Sequence, residues 1–127
     1  MMLITPAYTS IFALVFVVLS FRTLLLRRKL GIAIGNGNEL SLTRAARAHS
    51  NFAEYVPISL ILIYFREIQM GSDLWIHALC ILLLIGRIIH AIGVSSVNEN
   101  YRYRVAGMAL TFFVIISTSF RLLATYI

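Results

Sequence analysis

Apolar residues fill the chain in long blocks, and polar residues interrupt them in only a few places. A helix that crosses a bilayer needs about 20 mostly apolar residues. Four segments have that character: Pro6 to Leu26, Leu42 to Ile68, Leu74 to Val94 and Val105 to Leu123. The breaks between them carry turn chemistry. Gly35-Asn36-Gly37-Asn38 marks a loop, and Ser41 or Thr43 is predicted to cap the second helix. Met70-Gly71-Ser72-Asp73 reads as a short turn, with Ser72 or Asp73 capping the third helix. Ser95 to Asn100 is a polar connection before the fourth. There is no internal repeat and no low-complexity stretch. Short connections favour antiparallel neighbours, so the pattern predicts an all-α fold. It is a single domain over residues 1–127, an integral membrane four-helix up-down bundle.

Composition removes the soluble alternative. The chain is 60% hydrophobic and 13% charged, whereas a soluble domain has about a quarter of its residues charged. A chain this short has too little interior to hide so much apolar surface from water. The net charge of +6 comes from 11 basic and 5 acidic residues. The arginines are scattered among apolar runs rather than gathered in a basic arm, so nucleic acid is not an expected partner. Their placement speaks to topology, because cytoplasmic loops collect Lys and Arg. The first connection and its flank hold Arg27, Arg28, Lys29, Arg44 and Arg47, and the third holds Arg102 and Arg104. The second holds only Arg66, beside Glu67 and Asp73. Both termini are therefore expected on the non-cytoplasmic side, with Arg121 snorkelling to the interface. The N-terminus lacks a basic region ahead of its apolar run, so it reads as a retained first span rather than a cleaved signal. Cys80 lies inside an apolar run and reads as a packing residue.

One stretch stands out: R-A-H-S-N-F-A-E-Y-V-P, from Arg47 to Pro57. It sets Arg47, His49, Asn51 and Glu54 in a segment that should otherwise carry leucines. A charged residue at a bilayer centre costs about 2.5–3.5 kcal/mol on insertion scales, so such residues are expected to face one another, water or a ligand. Arg47, Asn51 and Glu54 stand at i, i+4 and i+7, which puts them on one helix face. Arg87 and His90 form a second patch near the end of the third span. Arg104 opens the fourth span at the same level, and Arg27 and Arg28 end the first span there. Glu54 can staple helices by pairing with Arg87 or Arg47. Yet one carboxylate cannot neutralise Arg47, Arg87 and Arg104 together, and the excess charge calls for an anion: a carboxylate, thiolate or phosphate. Tyr55 suits either packing or a ligand hydrogen bond. Pro57 is expected to kink the second helix and open space beside Asn51 and Glu54. His77 reads as interfacial, and the histidines lack metal-ligand spacing.

These residues resemble the MAPEG family, the membrane-associated proteins of eicosanoid and glutathione metabolism. The resemblance is carried by Arg47–Pro57, by G-R-I-I-H at Gly86–His90 and by R-V-A-G-M at Arg104–Met108. It spans most of the chain, from about Arg27 to Phe120, and has the compact form of a bacterial-type member, implying a bacterial inner membrane. It implies a homotrimer of four-helix subunits with glutathione, as co-substrate, held between neighbours near the cytoplasmic face. Arg47, Asn51, Glu54 and Tyr55 match positions that contact glutathione. Arg87 matches the third-span arginine, and His90 stands where other members carry tyrosine or histidine. Arg27 resembles the first-span arginine near the ligand's carboxylate end. Arg104 matches the arginine that stabilises the glutathione thiolate in catalytic members. Two positions depart from the pattern: Val94 and Met108 stand where some members carry tyrosine.

The mechanism implied by the resemblance is thiolate activation. A thiol with a pKa of about 8.5 is only a few per cent ionised at neutral pH, and a nearby guanidinium favours its thiolate. Arg104 is the expected catalytic group. Arg47 and Arg27 are expected to hold carboxylates, Glu54 the amino group and Asn51 the backbone of glutathione. A lipophilic electrophile would arrive from the membrane lipids. Two other readings compete. One is a non-catalytic ligand-binding protein of the same fold. The other is a small multidrug-type transporter built on Glu54, which the surrounding arginines disfavour because they repel cationic cargo.

Overall fold

A computed structural model describes residues 2–127 as four helices. They are α1 (Thr5–Leu30), α2 (Leu40–Met70), α3 (Leu74–Ser95) and α4 (Tyr101–Leu123). The chain is all-α among the described residues, as the hydrophobic pattern predicts, and each helix runs a few residues beyond its apolar core.

The ends follow local chemistry. Pro6 sits in the first turn of α1, where its missing N–H costs nothing. Gly31 closes α1 in the left-handed region (φ 68°), and the Ile32 N–H returns to the Arg27 carbonyl. Asp73 caps α3 by accepting from the Ile76 N–H at 3.0 Å, as predicted. Asn100 caps α4 by accepting from Arg102. The second helix starts earlier than the sequence suggests. Its N-cap is Glu39, with no side-chain cap bond, so Ser41 and Thr43 lie in its first turn. Thr43 donates instead to the Glu39 carbonyl and accepts from Asn36.

α2 and α3 form the middle of the molecule. Each packs on the other, α1 lies mainly against α2, and α4 packs on α2 and most extensively on α3. α1 and α4 do not meet, so this bundle is two flanking helices on a central pair rather than a closed ring. Phe12, Phe52, Ile63, Ile76, Leu79, Leu83 and Val114 fill the core. Leu14, Val18 and Phe21 of α1 and Phe112, Phe113 and Ile116 of α4 point outward. Apolar surface of this extent marks a lipid or protein interface.

One feature amends the expected spans. α1, α3 and α4 are long and apolar enough to cross a membrane, but α2 does not meet that standard despite its 31 residues. The reason is its polar positions, the stripe in its first half together with Arg66 and Glu67 near its end. α2 continues as an α-helix through Pro57, which lines an apolar groove against α1 with Phe12, Phe16 and Phe52.

The close packing of α3 on α4 depends on glycine. A Cβ built on Gly107 would stand 2.5 Å from the Gly86 carbonyl oxygen and 2.6 Å from the His90 Cβ. Small residues let backbones approach in this way. The contact brings the last turns of α3 beside the first turns of α4.

Candidate functional site

At the end of the molecule where α1 and α3 finish and α2 and α4 begin, a cavity of about 510 Å³ opens. Known ligand pockets span about 300–1,000 Å³. α2 supplies Arg44, Arg47, Asn51 and Glu54 to its wall. These stand at i, i+3, i+7 and i+10, one continuous stripe. His90 and Val94 come from α3, Glu99 from the connection Ser96–Asn100, and Arg104 and Met108 from α4. The stripe read from sequence is thus one wall of a shared cavity. The departures Val94 and Met108 are in it too.

The charges are partly matched inside the protein. Glu99 accepts from Arg104 Nη1 through Oε1 at 2.8 Å and from Arg44 Nη1 through Oε2 at 2.9 Å. Its side chain is only 7% exposed. The hydrogen bonds from Arg104 and then Arg44 outweigh burial and hold its carboxyl below the ordinary value of 4.5. Arg44 also donates to the Val94 carbonyl at 3.1 Å. Arg47 and Glu54 are exposed to the cavity and make no ion pair among the described residues. The helix-stapling pair of Glu54 with Arg87 or Arg47, the alternative role for this carboxylate, is therefore not made.

Arg87 lies behind the cavity wall. It is 1% exposed and donates to Asn51 Oδ1 at 2.7 Å and to Met108 Sδ at 3.5 Å. Its guanidinium stands 5.7 Å from the centre of the Tyr55 ring, a cation–π distance. Its Nε has no partner, and no carboxylate pairs with it among the described residues. A buried guanidinium without a counter-ion is costly unless charge of opposite sign comes near. Tyr55 itself packs edge-on to Phe112, 5.8 Å between ring centres, outside the cavity lining.

Besides Tyr55, two predicted residues stand apart within the single chain. Arg27 turns into the loop that follows α1, donating to the carbonyls of Ile32, Ala33 and Gly35, the last at 2.8 Å. His49 faces α1, with Nε2 3.0 Å from Ser20 Oγ and its ring stacked on Phe16. Neither lines the cavity. Arg47, Asn51, Glu54, His90 and Arg104 do, and Arg87 reaches it through Asn51.

Sequence reasoning missed Arg44 and Glu99. Arg44 was legible, because it extends the α2 stripe by one turn. Glu99 corrects the charge count: a second carboxylate serves Arg44 and Arg104, so the excess belongs to Arg47 and Arg87. Its only signal in the sequence is that it is the sole acid in a polar connection. That does not reveal that its partners come from two different helices.

The chain is similar to two curated membrane proteins. The chain is 34% identical over 110 residues to the inner membrane protein YecN of Escherichia coli strain K12. The match covers 86% of this chain and 82% of that protein. The YecN protein of Escherichia coli O6:H1 strain CFT073 matches to the same extent. No solved structure matches the chain. The family model described as MAPEG matches residues 5–124, the whole of the bundle from the first turn of α1 to the end of α4. The chain is thus an integral membrane protein of the MAPEG family.

Proposed function

We propose that this protein binds glutathione in the polar cavity and activates its thiolate for attack on a lipophilic electrophile. The observation that carries the reading is the charge inventory of one cavity end. Arg44, Arg47 and Arg104 line it against Glu54 and Glu99, with buried Arg87 behind. Such a site favours a ligand with two carboxylates, an amino group and an ionisable thiol. Arg47 suits a carboxylate, Glu54 the amino group and Asn51 a backbone amide. Arg104 lowers the cost of the thiolate. The sulfur then attacks the electrophilic carbon, and the leaving group departs with the bonding pair. The electrophile reaches the site from the acyl chains, between helices with apolar outer faces. Family membership makes a homotrimer the expected assembly, in which Arg27 of one subunit lies near a neighbour's site. The cavity end faces the cytoplasm in this reading, since all basic residues except Arg66 and Arg121 lie toward it.

The test is glutathione-dependent turnover of an aryl halide by the purified protein. Replacing Arg104 with alanine is expected to lower the rate by about a hundredfold, the scale of losing one donor to developing negative charge. Equal rates would remove Arg104 from the mechanism.

A second reading keeps the ligand and drops the chemistry. Val94 and Met108 line the cavity and offer no hydroxyl to the ligand, which favours a protein that holds glutathione without turning it over. Saturable glutathione binding with no turnover of any electrophile would select it. Transport of an organic cation through Glu54 is the least favoured, because Glu54 shares its cavity with three arginines.

A further inference from the structure

We propose that Glu99 is an internal stand-in for a ligand carboxylate, and that an acidic ligand enters the cavity by displacing it from Arg44 and Arg104. This rests on the anion-binding reading above and adds how two of the cavity's cations are neutralised without a ligand.

Three observations carry it. First, each Glu99 oxygen takes one arginine, and the two arginines belong to different helices. Arg44 is on α2 and Arg104 on α4, at 2.9 and 2.8 Å. One carboxylate thus fills the place between two guanidinium groups where a ligand's carboxylate would make the same pair of charge-assisted bonds. Second, Glu99 stands on the five-residue connection between α3 and α4, not on a helix. α4 has its own cap in Asn100. Glu99 can therefore swing away while the helix start keeps its partner. Third, the remaining cavity cation, Arg47, has no ion-pair partner among the described residues.

The chemistry of exchange follows. A ligand with one anionic group is satisfied by Arg47 and leaves Glu99 in place. A ligand with two must place the second where Glu99 sits. A plain diacid's second carboxylate then replaces Glu99 on both arginines, whereas that of glutathione takes Arg44 and leaves Arg104 to the thiolate; Glu99 is released to water, so the exchange is close to balanced in charge and hydrogen bonds. The arrangement favours diacids over monoacids and keeps Arg104 neutralised until the ligand arrives.

The experiment uses purified full-length protein in detergent, with glutathione and the plain diacid glutarate as titrants. Glu99→Gln keeps the size and a hydrogen-bond acceptor but loses the charge. It is expected to tighten both titrants by about tenfold. Hydrogen exchange in the wild type gives an independent readout. Saturating glutarate should speed exchange of the amides at residues 96–100 as Glu99 is expelled. If Glu99 only staples α2 to α4, Glu99→Gln will bind both titrants equally or more weakly, and glutarate will slow exchange there; either result overturns the proposal. Tightening of glutarate with no glutathione binding by either protein would uphold the displacement and defeat the glutathione reading. Should Glu99→Gln not fold, the wild-type exchange experiment decides alone.

Discussion

The buried guanidinium of Arg87 donates to Asn51 Oδ1 at 2.7 Å, joining α3 to α2 directly behind the polar cavity. Asn51 is the only oxygen acceptor this arginine has among the described residues. Removing the acceptor strands a buried charge, whereas removing the arginine leaves Asn51 free to meet water in the cavity. Asn51→Leu should therefore destabilise the protein by about 1.5–3 kcal/mol, the scale of losing a hydrogen bond to a charged group. Arg87→Met should cost clearly less. Unfolding midpoints in a single detergent give the order, and a reversed order would refute this account of the pair.

Gly107 sets the distance between α3 and α4. A Cβ there meets backbone oxygen of Gly86 and the His90 side chain at under 3 Å, so the helices must part. Gly107→Ala is expected to cost about 1–3 kcal/mol as an overpacking substitution. It should also weaken ligand binding, because His90 lines the cavity. Gly86→Ala meets its neighbours at 3.0 Å and should be milder. Thermal unfolding of the two variants side by side checks the ranking.

At the opposite end, Glu67 is fully buried and accepts from the backbone N–H groups of Ile4 (2.6 Å) and Thr5 (2.9 Å) and from the Ser72 hydroxyl (2.6 Å). It caps α1 from 62 residues away in sequence. A carboxylate at a helix N-terminus opposes the positive end of the dipole and satisfies otherwise orphaned donors. Glu67→Gln leaves one of these acceptor sites as a donor and should cost about 1–3 kcal/mol. Glutathione affinity should not change, since the residue is remote from the cavity.

Acid should loosen the connection between α3 and α4. Hydrogen bonds from Arg104 and Arg44 depress the Glu99 pKa below 4.5. The contribution to stability is therefore complete above that ordinary value and is lost as pH falls through the lower, folded value. The unfolding midpoint of the wild type should fall toward that of Glu99→Gln only below pH 4.5. A constant gap between the two proteins down to strong acid would show that the ion pairs do not carry it.

Topology is checked by reporters. With the cavity end in the cytoplasm, a C-terminal alkaline phosphatase fusion should be active and a C-terminal green fluorescent protein fusion dark. The reverse pattern would invert the orientation inferred from the basic residues.

The bundle was legible because its causes are local. Apolar length sets a span, and Gly31, Asp73 and Asn100 close or open helices through their own backbone and side-chain chemistry. The Arg47–Asn51–Glu54 stripe was legible for the same reason, since helical periodicity alone puts it on one face. One local inference failed: Ser41 and Thr43 look like caps, but α2 starts one residue after Glu39.

What sequence alone determined, then, is the membrane bundle, the family and the gathering of charge at one end, because periodicity and composition act over a few turns. Only the folded chain decided which charges are spent and which are available. Glu99 is drawn onto Arg44 and Arg104, Arg87 is left to Asn51, and Arg27 and His49 are turned away from the cavity. Pairings between side chains dozens of residues apart depend on the helix crossing that Gly86 and Gly107 permit. No spacing along the chain encodes that distance.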